Sequence, residues 1–449
     1  MGNDWYSNAT QRVDFAYLSD HDLAIVAKGL ADKFYGAQPS YSYFDGCSQG
    51  GHQALTEAER YPKDFNGILA GAPATIMTEL NSVLHEFEYD TVLDSSGQPI
   101  LDEPEAMVVE NAALKACDPK VGLMLDYRAC ERSFNVDSVQ CTATNTSNCL
   151  SAAQVAAVKR VYDGPVDPQG EHLYPGGYPL GSEWDWDNPT SVNIPATAGV
   201  AVIPGAFITA WLQYFAFEKD IGTSGVADEP FTKAYFEKLE KLAPFWDDTD
   251  PDLGPFQKAG GKLILWQGEA DWSIPTISSV AYYQAVVKAM GGVAAAQQFT
   301  RYYLLPSVGH CGTGAPDTYP GLADVVRWAE TGKAPGGIQA NEYNSSLPSS
   351  GSGGPPPGGG GSSSTDLTDA IPVLGAPPSG PVLRSIELFP YPELPAYSGH
   401  GSVDQASSFV GKVSKALEAP TPWLGKMNNV MIWCNASGVD CRKRLMPTS

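Results

Sequence analysis

Apolar residues in the first part of the chain recur at helical spacing: Leu23, Val26, Leu30 and Phe34. This spacing predicts an amphipathic helix with these four side chains on one face. Ser19-Asp-His-Asp22 resembles a capping box at its start, and Gly36 is a typical residue at which a helix ends. The next segment, Tyr41-Ser-Tyr-Phe44, alternates in the way that predicts a strand.

A glycine-rich turn, Gly46-Cys-Ser-Gln-Gly-Gly51, follows this strand. A second helix is predicted at residues 53–60 and a short buried strand at 68–70. The same rhythm returns later, with strands predicted at 262–266 and 299–305, each followed by a helical pattern. Strands that alternate with helices are typical of a parallel sheet with helices on its faces.

The segment from about residue 75 to 252 interrupts this rhythm and is too long to be a loop. We interpret it as a large lid domain inserted into an α/β fold with a mostly parallel sheet. The pattern divides the chain into five segments: a first part of the core at 1–75, the lid at 76–252, a second part of the core at 253–344, a flexible segment rich in glycine, proline and serine at 345–380, and a C-terminal tail that packs on the core at 381–449.

The glycine-rich turn also carries a chemical motif. Gly46-Cys-Ser48-Gln-Gly50 fits G-x-S-x-G, the nucleophile elbow of α/β-hydrolases. Five residues recur by chance, but this pattern lies between a predicted strand and a predicted helix, which is the context that the motif requires. The helix directs its N-terminus at the serine, which favours developing negative charge. The sequence therefore predicts Ser48 as nucleophile and the backbone N–H of Gln49 as an oxyanion donor.

A serine nucleophile needs a base, and in this fold the acid and then the histidine follow the serine along the chain. His310 lies in a glycine-rich loop after a late strand and is the predicted base. Asp271 follows the preceding strand and is the predicted acid, with Glu269 as a competitor that periodicity does not exclude. The remaining histidines are interpreted as surface or packing residues: His21, His52, His85, His172 and His400.

The chain contains eight cysteines and no pair at CxxC spacing. Cys47 directly precedes Ser48 and Cys311 directly follows His310, so a triad built from these residues must bring the two cysteines together. The sequence therefore predicts a Cys47–Cys311 disulfide. An even cysteine count favours an oxidising, secreted setting, as do the potential N-glycosylation sites at Asn8, Asn145, Asn344 and Asn435.

The formal net charge is -23 and the pI is near 4.5. Such a surface repels phosphate backbones and anionic lipid, so neither nucleic acid nor a membrane surface is an expected partner. No apolar run is long enough to span a bilayer. The first residues have neither the basic nor the apolar region of a signal peptide. Either the protein is cytosolic with reduced cysteines, or the start of the chain is missing.

Two segments resemble the tannase and feruloyl esterase family: Tyr43-Phe-Asp-Gly-Cys-Ser-Gln-Gly-Gly-His-Gln-Ala-Leu55 and Glu59-Arg-Tyr-Pro-Lys-Asp-Phe-Asn-Gly-Ile-Leu-Ala-Gly-Ala-Pro-Ala74. The resemblance covers roughly residues 10–410. Ser48, Asp271 and His310-Cys311 match the family's Cys-Ser, Asp and His-Cys arrangement. The resemblance implies an α/β-hydrolase that hydrolyses esters of aromatic acids, such as feruloyl, other hydroxycinnamoyl or galloyl esters.

The family also implies three further disulfides: Cys117–Cys130, Cys141–Cys149 and Cys434–Cys441. Its calcium loop lies between the first two lid cysteines, where only Asp118 and Asp126 remain here as carboxylates. Calcium takes six to eight oxygens, so the structural calcium is expected to be lost or weakly bound. No cofactor is expected for the chemistry.

Two other departures from the family concern the active site. Gln267 stands where the family usually has a histidine. The chain also has fewer residues before Ser48 than the family has, so that the N-terminal strands and a glycine-rich oxyanion loop are expected to be missing.

These features favour a serine ester hydrolase that acts on aromatic acid esters through an acyl-enzyme. Candidate contacts for the aromatic ring are Trp184, Trp211 and Tyr214, with a place in the lid core as an equal alternative. A second hypothesis is a truncated remnant with impaired or no activity. A third is a serine peptidase on the same fold, against which the family resemblance argues.

Overall fold

A computed structural model describes residues 8–95, 99–186, 211, 233–314, 316–343, 380–421, 430–434 and 441–445. Its centre is a four-stranded sheet in the order β1-β2-β3-β4. The strands are β1 (Tyr43–Cys47), β2 (Gly67–Gly71), β3 (Lys262–Gly268) and β4 (Thr300–Leu305). All three pairings are parallel, which confirms the predicted α/β class and the positions of β2, β3 and β4. The first strand begins two residues later than predicted and includes Gly46 and Cys47, which were predicted to lie in the turn.

Antiparallel two-stranded sheets form the C-terminal part: β5 (Ile338–Tyr343) with β6 (Val382–Leu388), β7 (Glu393–Tyr397) with β8 (Phe409–Val413), and β9 (Val430–Cys434) with β10 (Cys441–Leu445).

Helices surround the strands: α1 (Ala9–Val13), α2 (Ser19–Tyr35), α3 (Gln49–Arg60), α4 (Met77–Glu79), α5 (His85–Thr91), α6 (Glu103–Cys117), α7 (Tyr127–Glu131), α8 (Ala152–Asp163), α9 (Lys233–Leu239), α10 (Ala243–Trp246), α11 (Gly254–Lys258), α12 (Thr276–Ala289), α13 (Val293–Ala296), α14 (Gly321–Thr331) and α15 (Lys415–Glu418). Wider π-helical turns at Asp14–Leu18 and Leu80–Leu84 join α1 to α2 and α4 to α5. None of the helices in the described ranges is long and apolar enough to cross a membrane.

Strands β2, β3 and β4 are buried on both faces, as is usual in a parallel sheet, whereas the residues of β1 are only partly buried or exposed. Alternate side chains of β3 enter different cores, because successive residues of a strand point to opposite faces. Leu263 and Leu265 belong to one hydrophobic cluster, whereas Ile264 and Trp266 belong to the other. This two-sided burial explains why the strand sequence is a continuous apolar run rather than an alternating one.

The two ends of the segment interpreted as a lid lie side by side. The backbone N–H of Asp248 donates to the carbonyl of Thr75 at 3.0 Å, and the N–H of Thr78 donates to the Asp247 carboxylate at 2.9 Å. A long segment can therefore leave and re-enter the core at one place without disturbing the sheet.

Helix α2 begins at Ser19, as predicted, but it lacks the predicted capping box and its apolar face is not buried. The backbone continues from the preceding helical turn through Ser19, so no side chain caps this end. Gly36 ends the helix with a φ of 72°, as expected. The apolar face is exposed: the exposed fractions are 64% for Leu23, 56% for Val26, 62% for Leu30 and 82% for Phe34. Nearby, β1 pairs on one side only among the described strands.

Several carboxyl groups lie in the interior. Glu59 accepts hydrogen bonds from the Tyr282 hydroxyl at 2.9 Å and from the Asp250 N–H at 3.0 Å. Burial, together with Asp248 and Asp250, raises the pKa of Glu59 well above its ordinary value. Burial is also the main cause that raises the pKa of four other glutamates: Glu79, Glu88, Glu183 and Glu269. Burial thus favours the neutral form of each of these carboxyl groups.

The exposed face of α2 generates a prediction. Replacing Leu30 and Phe34 together by glutamine removes exposed apolar area without removing core contacts. We expect the free energy of unfolding to change by no more than about 0.5 kcal/mol per site, and self-association to fall. Light scattering against concentration and denaturant unfolding measure the two effects. Leu55→Ala at a fully buried position is the matched control, with an expected loss of about 2–5 kcal/mol. Unchanged association of the double variant would contradict the prediction.

Candidate active site

Ser48 occupies the tight turn between β1 and α3. Its φ of 64° and ψ of -119° lie outside the regions that side-chain-bearing residues usually adopt. The turn is held by a hydrogen bond of 3.0 Å from the Ser48 N–H to the carbonyl of Gly71, on the neighbouring strand β2. This geometry lifts the serine hydroxyl out of the end of the sheet, as the predicted nucleophile elbow requires.

The glycines around Ser48 differ in how much space each has for a side chain. A Cβ atom on Gly46 would lie 2.4 Å from the carbonyl oxygen of Gly50, and one on Gly51 would lie 2.1 Å from that of Gly71. At Gly50 itself the nearest atom would be 3.9 Å away. The close backbone approach therefore excludes a side chain at Gly46 and Gly51, whereas Gly50 has space for one.

The structure brings Ser48, His310 and Asp271 into one hydrogen-bonded chain. The Ser48 Oγ lies 2.9 Å from His310 Nε2, and His310 Nδ1 lies 3.0 and 3.2 Å from the two carboxylate oxygens of Asp271. The Asp271 side chain is fully buried, while that of His310 is 21% exposed. A buried carboxylate on Nδ1 fixes the ring orientation and leaves Nε2 to accept the serine proton.

Asp271 rather than Glu269 contacts the histidine. The Asp271 carboxylate also accepts hydrogen bonds from the Ile274 N–H at 2.9 Å and from Gln267 Nε2 at 2.7 Å. Burial raises the pKa of Glu269 well above its ordinary value, with further contributions from Asp126 and Asp118. Glu269 thus lies towards the loop of Asp118 and Asp126, where burial favours its neutral form.

The disulfide Cys47–Cys311 joins the two sides of this chain of hydrogen bonds. Its Cα atoms are 5.9 Å apart and it closes a loop with a sequence separation of 264. The Ala270 N–H donates to the carbonyl of Val308 at 2.9 Å, which ties the acid loop to the histidine loop as well. The serine, the acid and the histidine therefore rest on three loops that are bonded to one another.

Three disulfides join cysteines whose side chains are both described: Cys47–Cys311, Cys117–Cys130 and Cys141–Cys149. Cys434 is also disulfide-bonded, and its backbone lies directly opposite Cys441 in the β9–β10 hairpin. These positions agree with the pairings that the family resemblance implied.

Two of the remaining histidines are buried close to the site. His52 Nε2 lies 2.6 Å from the carbonyl oxygen of Trp246, and its Nδ1 lies 3.4 Å from the side-chain nitrogen Nε2 of Gln49. His85 Nε2 lies 2.9 Å from the carbonyl of Ser273, and burial lowers the pKa of His85 to about 4. Both are therefore packing histidines, which is one of the two roles that the sequence predicted for them. His85 and Ser273 are 188 positions apart in the sequence, so no local pattern indicates that His85 lies beside the acid loop.

The three aromatic candidates have different positions. Trp184 is partly exposed, and a Cβ atom on Gly309 or Gly314 would lie 3.1 or 3.2 Å from its ring, so it covers the loop that carries His310. Trp211 is 4% exposed and packs edge-on against Trp246 in the core, which is the alternative that the sequence left open. Tyr214 lies outside the described residues.

The loop between Cys117 and Cys130 does not fit a calcium ion well. The Asp118 carboxylate accepts from the Leu125 N–H at 3.1 Å, and that of Asp126 accepts from the Ala129 N–H at 3.0 Å. Both carboxylates thus accept hydrogen bonds from the local backbone. Two carboxylates also supply fewer oxygens than the six to eight that calcium takes.

A strand-to-helix nucleophile turn, a parallel sheet and an acid and histidine on later loops define an α/β-hydrolase. Comparison with solved structures agrees. Feruloyl esterase B from Aspergillus oryzae superimposes with a TM-score of 0.72 at 25% identity, covering 91% of this chain and 76% of that one. A tannin acyl hydrolase from Aspergillus niger has the same fold, with a TM-score of 0.68 at 20% identity over 91% of this chain and 71% of that one.

The family model for tannase and feruloyl esterase matches residues 3–411. A probable feruloyl esterase from Arthroderma benhamiae is 33% identical over 74% of this chain, and a mono(2-hydroxyethyl) terephthalate hydrolase from Piscinibacter sakaiensis is 26% identical over 89%. This chain spans 62% of the length of the first and 68% of the second. The chain therefore belongs to the tannase and feruloyl esterase family.

The disulfide at the site gives a second prediction. Replacing Cys47 and Cys311 together by alanine opens a very long loop, and we expect a loss of about 2–5 kcal/mol in the free energy of unfolding. The His310 loop should also lose its fixed position relative to Ser48, so that hydrolysis falls more steeply than the folded fraction does.

The double variant Cys141→Ala with Cys149→Ala is the control, because that bond spans a separation of only 8 in the lid. Thermal unfolding and turnover at a temperature where both variants are folded measure the effects. Equal turnover of the two variants would show that the Cys47–Cys311 bond does not position the histidine.

Proposed function

We propose that this protein is a serine carboxylic ester hydrolase that acts on esters of aromatic acids. The observation that carries the proposal is the continuous contact from the Ser48 Oγ through His310 to the buried carboxylate of Asp271. This arrangement activates an alcohol nucleophile and serves no evident structural purpose at a half-exposed turn. The family membership supports the same conclusion.

In the proposed reaction, His310 Nε2 takes the proton of Ser48 while the Oγ attacks the ester carbonyl. The Gln49 N–H, the first of helix α3, is the proposed donor to the oxyanion, because the first N–H groups of a helix have no acceptor within it. His310 then gives its proton to the departing alcohol, and an acyl-enzyme forms on Ser48. Water, activated by the same imidazole, releases the acid and restores the serine. No cofactor takes part in these steps, and we propose that the chain works without the family's calcium.

The substrate class is inferred from what the relatives have in common. Their names refer to feruloyl esters, to a terephthalate ester and, for an Aspergillus oryzae relative 27% identical to this chain, to tannin. Each of these substrates is an ester of an aromatic acid, free or attached to a larger molecule. Trp184, partly exposed beside the His310 loop, is the residue we propose to contact the aromatic ring of the acid.

We propose that the enzyme acts outside the cell. Disulfides persist in oxidising compartments, and those of this chain include one at the active site itself. Neither nucleic acid nor a membrane is a proposed partner, since the chain carries a formal net charge of -23.

The test of the function is hydrolysis of methyl ferulate and methyl gallate by the protein and by Ser48→Ala. We expect turnover to fall by a factor of about 10⁴ or more in the variant, because the nucleophile is lost. Ser138→Ala, at an exposed position in the lid, is the matched control and should keep full activity.

Other outcomes identify the alternatives. Folded protein without turnover would favour a remnant that retains the triad but has no activity. Cleavage of the corresponding anilides at rates similar to those of the esters would favour a peptidase.

A further prediction concerns Trp184. Removing the ring in Trp184→Ala should raise KM for methyl ferulate about 3- to 10-fold, as the loss of an aromatic contact of about 0.5–1.5 kcal/mol requires. The kcat and the KM for methyl butyrate, which has no ring, should change little. Trp184→Phe keeps a ring and should retain most of the affinity. An equal rise in KM for both esters would mean that Trp184 only supports the His310 loop.

A further inference from the structure

Gln267 is a polar side chain inside an otherwise apolar strand. It lies near the end of β3, four residues before Asp271, and is fully buried. A buried amide that makes no hydrogen bonds destabilises a protein, so its presence in a run of Leu-Ile-Leu-Trp needs an explanation.

The explanation is a contact with the acid loop. Gln267 Nε2 lies 2.7 Å from Asp271 Oδ2 and 3.0 Å from the carbonyl oxygen of Ile274. Both partners are acceptors, which assigns the NH₂ group to this position and uses both of its protons. The amide oxygen, Oε1, has no hydrogen-bond partner among the described residues. The side chain is therefore oriented entirely by the loop that carries Asp271.

The acid loop has a second contact from the lid side. His85, on α5, is 2% exposed and donates from Nε2 to the carbonyl of Ser273 at 2.9 Å. Its lowered pKa keeps it neutral at ordinary pH. The titratable groups that face Asp271 are thus His310, His85, Tyr174 and Tyr178, while Gln267 itself does not titrate.

We propose that Gln267 is a positioning residue that holds Asp271 against His310 through two donated hydrogen bonds, independently of pH. This inference rests on the proposed function of the triad, and Gln267 touches no reacting atom. An uncharged donor at this position keeps the carboxylate oriented without adding a charge next to the Asp271–His310 pair. The pH dependence of hydrolysis then follows from the histidine alone.

Gln267→Met tests the hydrogen bonds, because it has a similar length and no donor. We expect kcat for methyl ferulate to fall about 10- to 100-fold with KM changed less than about 3-fold, as misorientation of a catalytic group causes. Gln284→Met is the matched control. Gln284 Nε2 likewise donates to two carbonyls, of Leu417 at 2.8 Å and Ala419 at 3.0 Å, on the C-terminal segment. It should show a similar loss of thermal stability and unchanged kcat.

Gln267→Glu tests the independence of pH. In this buried position the new carboxyl shares one proton with the Asp271 carboxylate, so it can donate only while that proton is bound. We therefore expect kcat/KM to fall at alkaline pH more steeply than in the unchanged protein. A merely structural role would leave the pH profile unchanged in every folded variant.

The outcomes separate the two proposals. If Ser48→Ala abolishes turnover but Gln267→Met keeps kcat and Gln267→Glu keeps the pH profile of the unchanged protein, the inference about Gln267 is wrong and the esterase proposal stands. If Ser48→Ala hydrolyses the ester as fast as the unchanged protein does, the esterase proposal fails first. Thermal unfolding of each variant identifies any that does not fold, and Gln267→His then replaces it as the test, since its ring offers one donor instead of two.

Discussion

The parallel alignment of the four central strands is the constraint on which the site depends. In a parallel sheet all carboxyl ends lie at one edge, so loops that are distant in sequence meet there. Ser48 follows β1, Asp271 follows β3 and His310 follows β4. Each side chain needs only a short loop to reach the others. The long segment between β2 and β3 does not disturb them, because it leaves and returns to the core at one point.

Hydrogen bonds and a disulfide then fix the positions of these loops relative to one another. The elbow at Ser48 is held by the carbonyl of Gly71, and the acid loop by Gln267 and His85. The disulfide beside Ser48 connects that elbow to the loop of His310. Strand pairing thus brings Ser48, Asp271 and His310 to the same edge of the sheet. Side-chain hydrogen bonds and the disulfide then determine the distances between them.

The sequence predicted the parts that local patterns encode. The four strands, the elbow and the Cys47–Cys311 bond follow from periodicity, from a motif in its required context and from the adjacency of cysteines to the triad. The choice between Asp271 and Glu269 needed the structure, because both lie in one turn and only the path of the chain decides which carboxylate faces His310. The burial of His85 beside that turn was not predictable from any short segment. The apolar face of α2 shows the converse: a correct helical period does not determine what, if anything, covers the face.

The buried glutamates make the stability of the folded state depend on pH. In an unfolded chain a glutamate titrates near pH 4.3, whereas burial raises the pKa of Glu59, Glu79, Glu88, Glu183 and Glu269 well above that in the folded protein. Between those values the folded state binds protons that the unfolded chain releases, so stability falls as pH rises. His85, with its pKa lowered to about 4, acts in the opposite direction below pH 6.5. The buried glutamates therefore contribute more to the stability of the folded state in mildly acidic than in alkaline solution.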